Sequence, residues 1–171
     1  MMLLAEPFAR GIDAIKEHTG GLPHILYMSP RGPVLCQEKA RELAGHPHLV
    51  ILCGHYEGVD QRLLDEYEAE EVSIGDYVLT GGELPAMILA DAVSRMLPGV
   101  LSEEACFTEE SHFSGLLEYP QYTRPEVWRG RAVPSVLLSG HHGNIRAWRQ
   151  EQALAVTAQN RPDLLEKYGK G

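Results

Sequence analysis

Apolar runs alternate with helix-periodic stretches over the first hundred residues. Ile25-Leu26-Tyr27 is a short unbroken apolar run, the pattern of a strand buried on both faces. It breaks at Ser29-Pro30-Arg31-Gly32, a turn signature. Gln37 to Leu43 reads as a helix, ended by Gly45 and Pro47, and His48 to Cys53 reads as a second buried strand, stopped by Gly54. A helix is expected from about Val59 to Tyr67. A third strand pattern, Val72, Ile74 and Tyr77-Val78-Leu79, runs into Gly81-Gly82 and then a long helix. Pro85 falls in that helix's first turn, where its missing N–H costs nothing. This alternation predicts an α/β fold, a parallel sheet with helices on both faces.

Beyond Pro98-Gly99 the pattern changes. Glu103 to Ser114 is polar and acidic with no clean period and reads as a linker. Glu118-Tyr119-Pro120-Gln121-Tyr122-Thr123-Arg124-Pro125 has prolines too close for helix or sheet, which predicts an ordered loop held by its tyrosines. Asn144 is expected to cap a helix through about Thr157, with Ile145, Trp148, Gln152 and Ala153 on one face. A last short helix near Pro162–Tyr168 completes a small helical module.

Ligands of parallel sheets sit at the carboxyl ends of the strands. Three strand ends here carry turn residues: Ser29–Gly32, Gly54-His55-Tyr56-Glu57-Gly58 and Thr80-Gly81-Gly82. Two adjacent glycines at a strand-to-helix turn leave bare backbone N–H and C=O groups, a means of gripping a small polar ligand without charged side chains. Asp91 and Arg95 stand four apart on one face of the following helix, as an ion pair or as part of a site. No G-x-G-x-x-G follows a strand, and no P-loop, G-x-S-x-G elbow or H-E-x-x-H occurs. The close pairs His46/His48 and His141/His142 have no carboxylate or thiolate at metal spacing and read as surface histidines.

Cys36, Cys53 and Cys106 are few, odd in number and lack C-x-x-C spacing, as reduced cytosolic thiols do. No apolar run approaches membrane-spanning length and no charged-then-apolar leader opens the chain. The net charge of −9 argues against indiscriminate nucleic-acid binding. The charge is uneven, however: residues 1–100 carry 7 Lys/Arg against 15 Asp/Glu, whereas residues 101–171 carry 8 against 9. Arg129, Arg131, Arg146 and Arg149 span a stretch without an acid, a local basic face of the kind a phosphate backbone feels. A solvated surface is the other meaning of such a cluster.

Four motifs together resemble the TrmD family of bacterial tRNA (guanine-N1)-methyltransferases in the SPOUT superfamily. They are Gly54-His55-Tyr56-Glu57-Gly58-Val59-Asp60, Ser73 to Ala86 (SIGDYVLTGGELPA), Asp91-Ala92-Val93-Ser94-Arg95 and Tyr119 to Glu126 (YPQYTRPE). The resemblance spans nearly the whole chain. It implies a parallel sheet with a deep trefoil knot over residues 1–101, a flexible linker at 102–117 and a helical tRNA-binding domain at 118–171. It also implies a homodimer and methyl transfer from S-adenosylmethionine to N1 of guanine 37, beside the anticodon.

Carried over position by position, the family's donor pocket falls on Tyr27, Met28, Ser29 and Pro30, on Gly54, Tyr56 and Glu57, and on Ile74, Gly75, Tyr77, Leu79, Gly81 and Gly82. The same comparison makes Glu110 the general base, with Glu109 the alternative, and Arg95 the cation for charge developing at guanine O6. It makes Arg129, Arg131, Arg146 and Arg149 tRNA contacts. Mg2+ is implied by the resemblance alone, since no metal-ligand constellation is visible. His55 stands where many family members have Arg. Met1 to Pro7 matches a segment well inside the family's chain, so the family's first strand, its helix and a glycine-rich loop are expected to be missing. Two alternatives are a non-catalytic remnant that still binds S-adenosylmethionine, and a SPOUT enzyme acting on ribosomal RNA.

Overall fold

Every residue of β1 (His24–Met28) after its first is buried, because both faces of the strand are covered. Ile25 and Tyr27 point to one side and Leu26 and Met28 to the other, as strand geometry requires. β1 is the centre of a parallel three-stranded sheet. β2 (Leu49–Cys53) pairs along one edge, His24 opposite Leu49 through Met28 opposite Cys53, and β3 (Glu70–Val72) along the other, with Met28 opposite Val72.

The computed structural model describes residues 1–101 and 110–168. It divides the chain into two compact units, Met1–Leu101 and Ser102–Gly171.

In the first unit, α1 (Ala5–Thr19) and α3 (Gln61–Glu66) contribute Ile12, Leu63 and Leu64 to the face holding Ile25, Tyr27 and Leu52. The opposite face, Leu26, Met28 and Val72, packs on α2 (Gln37–Ala44) and α4 (Glu83–Ser94) through Ala40, Leu43, Leu89 and Val93. Leu26, Leu43 and Leu89 are fully buried, each stabilising the unit by about 1.5–3 kcal/mol. Asp60 caps α3: its carboxylate accepts the Arg62 backbone N–H at 3.0 Å and also meets the Arg62 guanidinium. Those hydrogen bonds hold the Asp60 carboxyl down at about 2.

The pattern predicted most of these elements but not α1. That helix lays Phe8, Ala9 and Ile12 on the sheet, ends at Gly20 in the left-handed conformation, and is tied at mid-length where the Tyr67 hydroxyl donates to Asp13.

The third strand also differs from expectation. It stops at Val72 instead of continuing to Leu79. The Ser73 hydroxyl donates to the Gly75 carbonyl and accepts the Gly75 N–H, a local turn that replaces ladder bonds. Gly75, with φ +150°, then bends the chain away, leaving Tyr77, Val78 and Leu79 exposed.

In the second unit, β4 (Val127–Trp128) and β5 (Arg131–Ala132) form an antiparallel hairpin. Arg129 and Gly130 both have positive φ, the mark of a two-residue type I′ turn. Neither the hairpin nor α5 (Ser135–Leu138) is foreshadowed by hydrophobic period, since both hairpin strands are exposed. α6 (His142–Asn160) starts two residues before Asn144, so Asn144 lies inside it. The turn through Gly140, with φ +71°, delivers the chain directly to His141, whose carbonyl accepts the first helical bond from Ile145. α7 (Pro162–Tyr168) follows where expected.

Thr157, fully buried, donates to the Ala153 carbonyl at 2.6 Å and accepts the Leu117 N–H at 2.9 Å. Its partners satisfy it completely, so it pins the incoming chain to α6 at little cost. Of the stretch read as a linker, residues 102–109 lie outside the described residues, and Leu116 is buried within this unit.

Candidate functional site

The ends of β1 and β2 and the loop segment leading to Gly82 converge on one cleft of about 460 Å³. At the end of β1, Ser29 is buried; its N–H donates to the Val72 carbonyl and its hydroxyl accepts the Arg31 N–H. Gly32 closes that turn against β3, where a Cβ would strike the Glu71 backbone. At the end of β2 the chain folds over the Tyr27 ring. A Cβ on Gly54 would come 2.6 Å from the Tyr27 hydroxyl, and one on Gly58 2.8 Å. Glycine is therefore required at both positions by close approach. Between them Tyr56 holds φ +57°, a left-handed conformation for a bulky residue, and is largely exposed. Its N–H donates to Nδ1 of His55 at 3.2 Å, so in that pairing the His55 proton lies on Nε2.

The third side of the cleft is where the long loop after β3 returns. His55 bridges Gly81, and the Gly82 N–H donates to the Gly54 carbonyl at 2.9 Å. A Cβ on Gly82 would sit 2.7 Å from Cα of Cys53, so the two segments touch backbone to backbone. A Cβ on Gly81 would meet only the Glu83 carboxylate and the edge of the His55 ring. Beneath, burial and the neighbouring Glu83 charge push the Cys53 thiol above its ordinary value.

Ten residues named from the sequence line this cleft: Tyr27, Met28, Ser29, Pro30, Gly54, Tyr56, Glu57, Leu79, Gly81 and Gly82. Ile74, Gly75 and Tyr77 do not. Ile74 packs on the core, and the Tyr77 hydroxyl donates back to the Ile74 carbonyl, so these three shape the bend that carries Leu79 to the rim. Arg31, Gln61 and Thr80 also line the cleft and were not singled out. Arg31 is held there by two hydrogen bonds to Glu71, at 2.8 and 3.1 Å, and one to Gln61. Its only sequence signal is its place in the Ser29–Gly32 turn.

Arg95 is half-buried at the C-terminal cap of α4, its N–H donating to the Asp91 carbonyl. Glu110 is half-buried in the second unit, where its carbonyl accepts the Phe113 N–H; Glu109 lies outside the described residues. In that unit Arg129 lies over the Trp128 ring at 4.9 Å, Arg131 is on β5, and Arg146 and Arg149 are three apart on α6. Arg149 lies over the Tyr119 ring at 4.8 Å, and the Tyr122 ring leans on Trp148 at 6.2 Å. The tyrosines of the predicted loop thus fasten it to α6. Among the described residues no three His, Cys, Asp or Glu gather to hold a metal ion, and no helix is long and apolar enough to cross a membrane.

The sequence model of one protein family, described as tRNA (Guanine-1)-methyltransferase TrmD, matches residues 1–167. The chain is 58% identical to the tRNA (guanine-N(1)-)-methyltransferase of Ruminiclostridium cellulolyticum over 98% of its own length and 72% of that protein's. It is 59% identical to the corresponding enzyme of Alkaliphilus oremlandii over 85% of its own length and 59% of the relative's. With that of Lachnospira eligens it shares 51% identity over 99% of its own length and 72% of the relative's. The chain therefore spans between 59 and 72% of the length of these relatives.

Proposed function

Since this chain belongs to the tRNA (guanine-1)-methyltransferase family, TrmD, we propose that it transfers a methyl group from S-adenosylmethionine to N1 of guanine 37 of tRNA. The observation that carries the reading is the cleft lined by the backbone of Gly54, Gly81 and Gly82, positions where a side chain would strike a neighbouring segment and push the lining apart. Its volume of about 460 Å³ suits a nucleoside-sized ligand. An adenosine offers a flat apolar face and a polar edge, matched by Leu79 and Met28 on one hand and by the polar backbone of the lining turns on the other. Tyr27, Met28, Ser29, Pro30, Gly54, Tyr56, Glu57, Leu79, Gly81 and Gly82 form this donor site, with Ile74, Gly75 and Tyr77 setting its loop.

When bound, S-adenosylmethionine supplies an electrophilic methyl group on a sulfonium. Guanine N1–H is a weak acid, and a base must take its proton as the N1–methyl bond forms. Glu110 is that base. Arg95 neutralises the negative charge that develops toward O6. Arg129, Arg131, Arg146 and Arg149 hold the tRNA backbone. The family's trefoil knot is supported by the return of the 73–82 loop to Gly54. A homodimer is supported by α4, which leaves Leu84, Met87 and Ile88 exposed at i, i+3 and i+4, an unpartnered apolar stripe. Mg2+ remains an implication of the family, and no step depends on it.

The test is methyl transfer from labelled S-adenosylmethionine to an unmodified tRNA transcript, beside one with adenine at position 37. Product on the first alone supports the reading, and equal or no product on both overturns it. No observation favours a non-catalytic remnant or a ribosomal RNA substrate.

A further inference from the structure

A second cleft, of about 980 Å³, is not the donor site; it lies wholly within the second unit. One wall is the loop from Tyr119 to Glu126, and the floor is apolar: Val133, Leu137, Leu138 and Ile145. Tyr122 is about half exposed (48%), and the ring contact with Trp148 holds it in place. Arg124 and Arg149 stand at the cleft, opposed by the single acid Glu126. Outside it, Arg129, Arg131 and Arg146 extend the positive charge, and among the described residues neither they nor Arg124 form an ion pair.

We propose that this cleft receives an unstacked base of the bound RNA, distinct from the methylated guanine, with Tyr122 as its stacking platform and Arg124 on the adjoining phosphate. The chemistry of the lining selects this occupant. An apolar peptide would use the floor but gains nothing from the two arginines. A phosphate alone would use the cations but gains nothing from the tyrosines and prolines. A single-stranded nucleotide uses both, since its base has an apolar π-face and its backbone a negative charge. The volume holds a base with its ribose. Tyr122 is already braced by Trp148 before any ligand arrives, so stacking costs little ordering of the ring. The proposal rests on the tRNA reading above for the identity of the RNA, but its test stands apart from methylation.

Binding of two probes to the full chain is measured: a tRNA transcript and a short unstructured RNA oligonucleotide. Y122A is expected to weaken both about tenfold, the usual worth of one stacked base. Y122F, which keeps the ring, is expected to bind as wild type. The salt dependence should be unchanged in Y122A but shallower in R124Q, because only the latter removes a phosphate contact. Circular dichroism of Y122A confirms that the unit is folded, and sedimentation without RNA shows whether the cleft instead seats a second copy of the chain. Wild-type affinity for both probes in a folded Y122A, a loss in Y122F equal to that in Y122A, or a change of oligomeric state in Y122A overturns the proposal. Tyr122-dependent binding of the oligonucleotide without tRNA methylation by the wild type would instead overturn the tRNA reading and leave this cleft as an RNA site.

Discussion

The Gly82 N–H donates to the carbonyl of Gly54 at 2.9 Å, joining residues 28 apart in sequence at the mouth of the first unit's cleft. This contact brings the end of the long loop against the end of β2 and starts α4 there. It is possible only because Gly82 has no side chain: a Cβ there would lie 2.7 Å from one backbone atom and 2.9 Å from another.

G82A is therefore expected to destabilise the first unit by about 1–3 kcal/mol, the range for forced overpacking. G81A, whose new methyl meets the movable end of Glu83, is expected to be close to neutral. Urea denaturation of both variants checks this, and equal loss in the two would contradict the packing described.

G81V is expected to keep the fold and lose S-adenosylmethionine binding, because the branched side chain occupies the cleft mouth. Calorimetric titration is the measurement; wild-type affinity would remove Gly81 from the donor site.

E110Q keeps the shape of the side chain but cannot take a proton. Its methylation rate is expected to fall at least about a hundredfold, with donor affinity unchanged. R95Q is expected to lose about 10²–10³ in rate, the usual scale for a lost charge-stabilising donor. Should E109Q be the damaging change instead, the base is the neighbouring glutamate.

R129Q, R131Q, R146Q and R149Q are each expected to weaken tRNA binding and flatten its salt dependence, as fewer counterions are released. Four slopes identical to wild type would remove this face from the tRNA site.

Glu70 anchors a polar cluster at the edge of the sheet, bonded to Lys39 and at 2.9 Å to Nε2 of His24, whose ring stacks on His46. Burial alone would raise its carboxyl, but the hydrogen bonds and charges of Lys39 and His24 outweigh it and hold it below 4.5. The folded form thus binds its proton less readily than the unfolded chain. The stabilisation is present above 4.5 and is lost as pH falls through the lowered value. E70Q is expected to cost about 1 kcal/mol at neutral pH. The gap from wild type should close on acidification; melting curves across that range that stay parallel would contradict this.

Hydrophobic pattern alone determined the α/β class and the positions of β1, β2, α2 and α7. These follow from local rules: an apolar run with turn residues after it makes a buried parallel strand whatever surrounds it. The motif from Ser73 to Ala86 likewise marked, by composition, a segment whose Leu79 to Gly82 line the cleft. Pattern could not place the end of β3, since Tyr77-Val78-Leu79 has strand-like residues but no neighbouring strand to pair with. The local Ser73–Gly75 turn and the pull of Gly82 toward Gly54, a contact distant in sequence, decided that segment. Nor could it find α1 from its cap, because Leu4 offers no side-chain acceptor and the helix is held by Ile12 and Asp13 against the sheet and Tyr67. The same holds for Arg31, drawn to the cleft by Glu71 forty residues away, and for the second cleft, whose tyrosines were visible as a loop but whose floor is assembled only when α5 and α6 come together. Local sequence sets which elements form, whereas the side-chain and backbone contacts that close a site span the chain and exist only once it has folded.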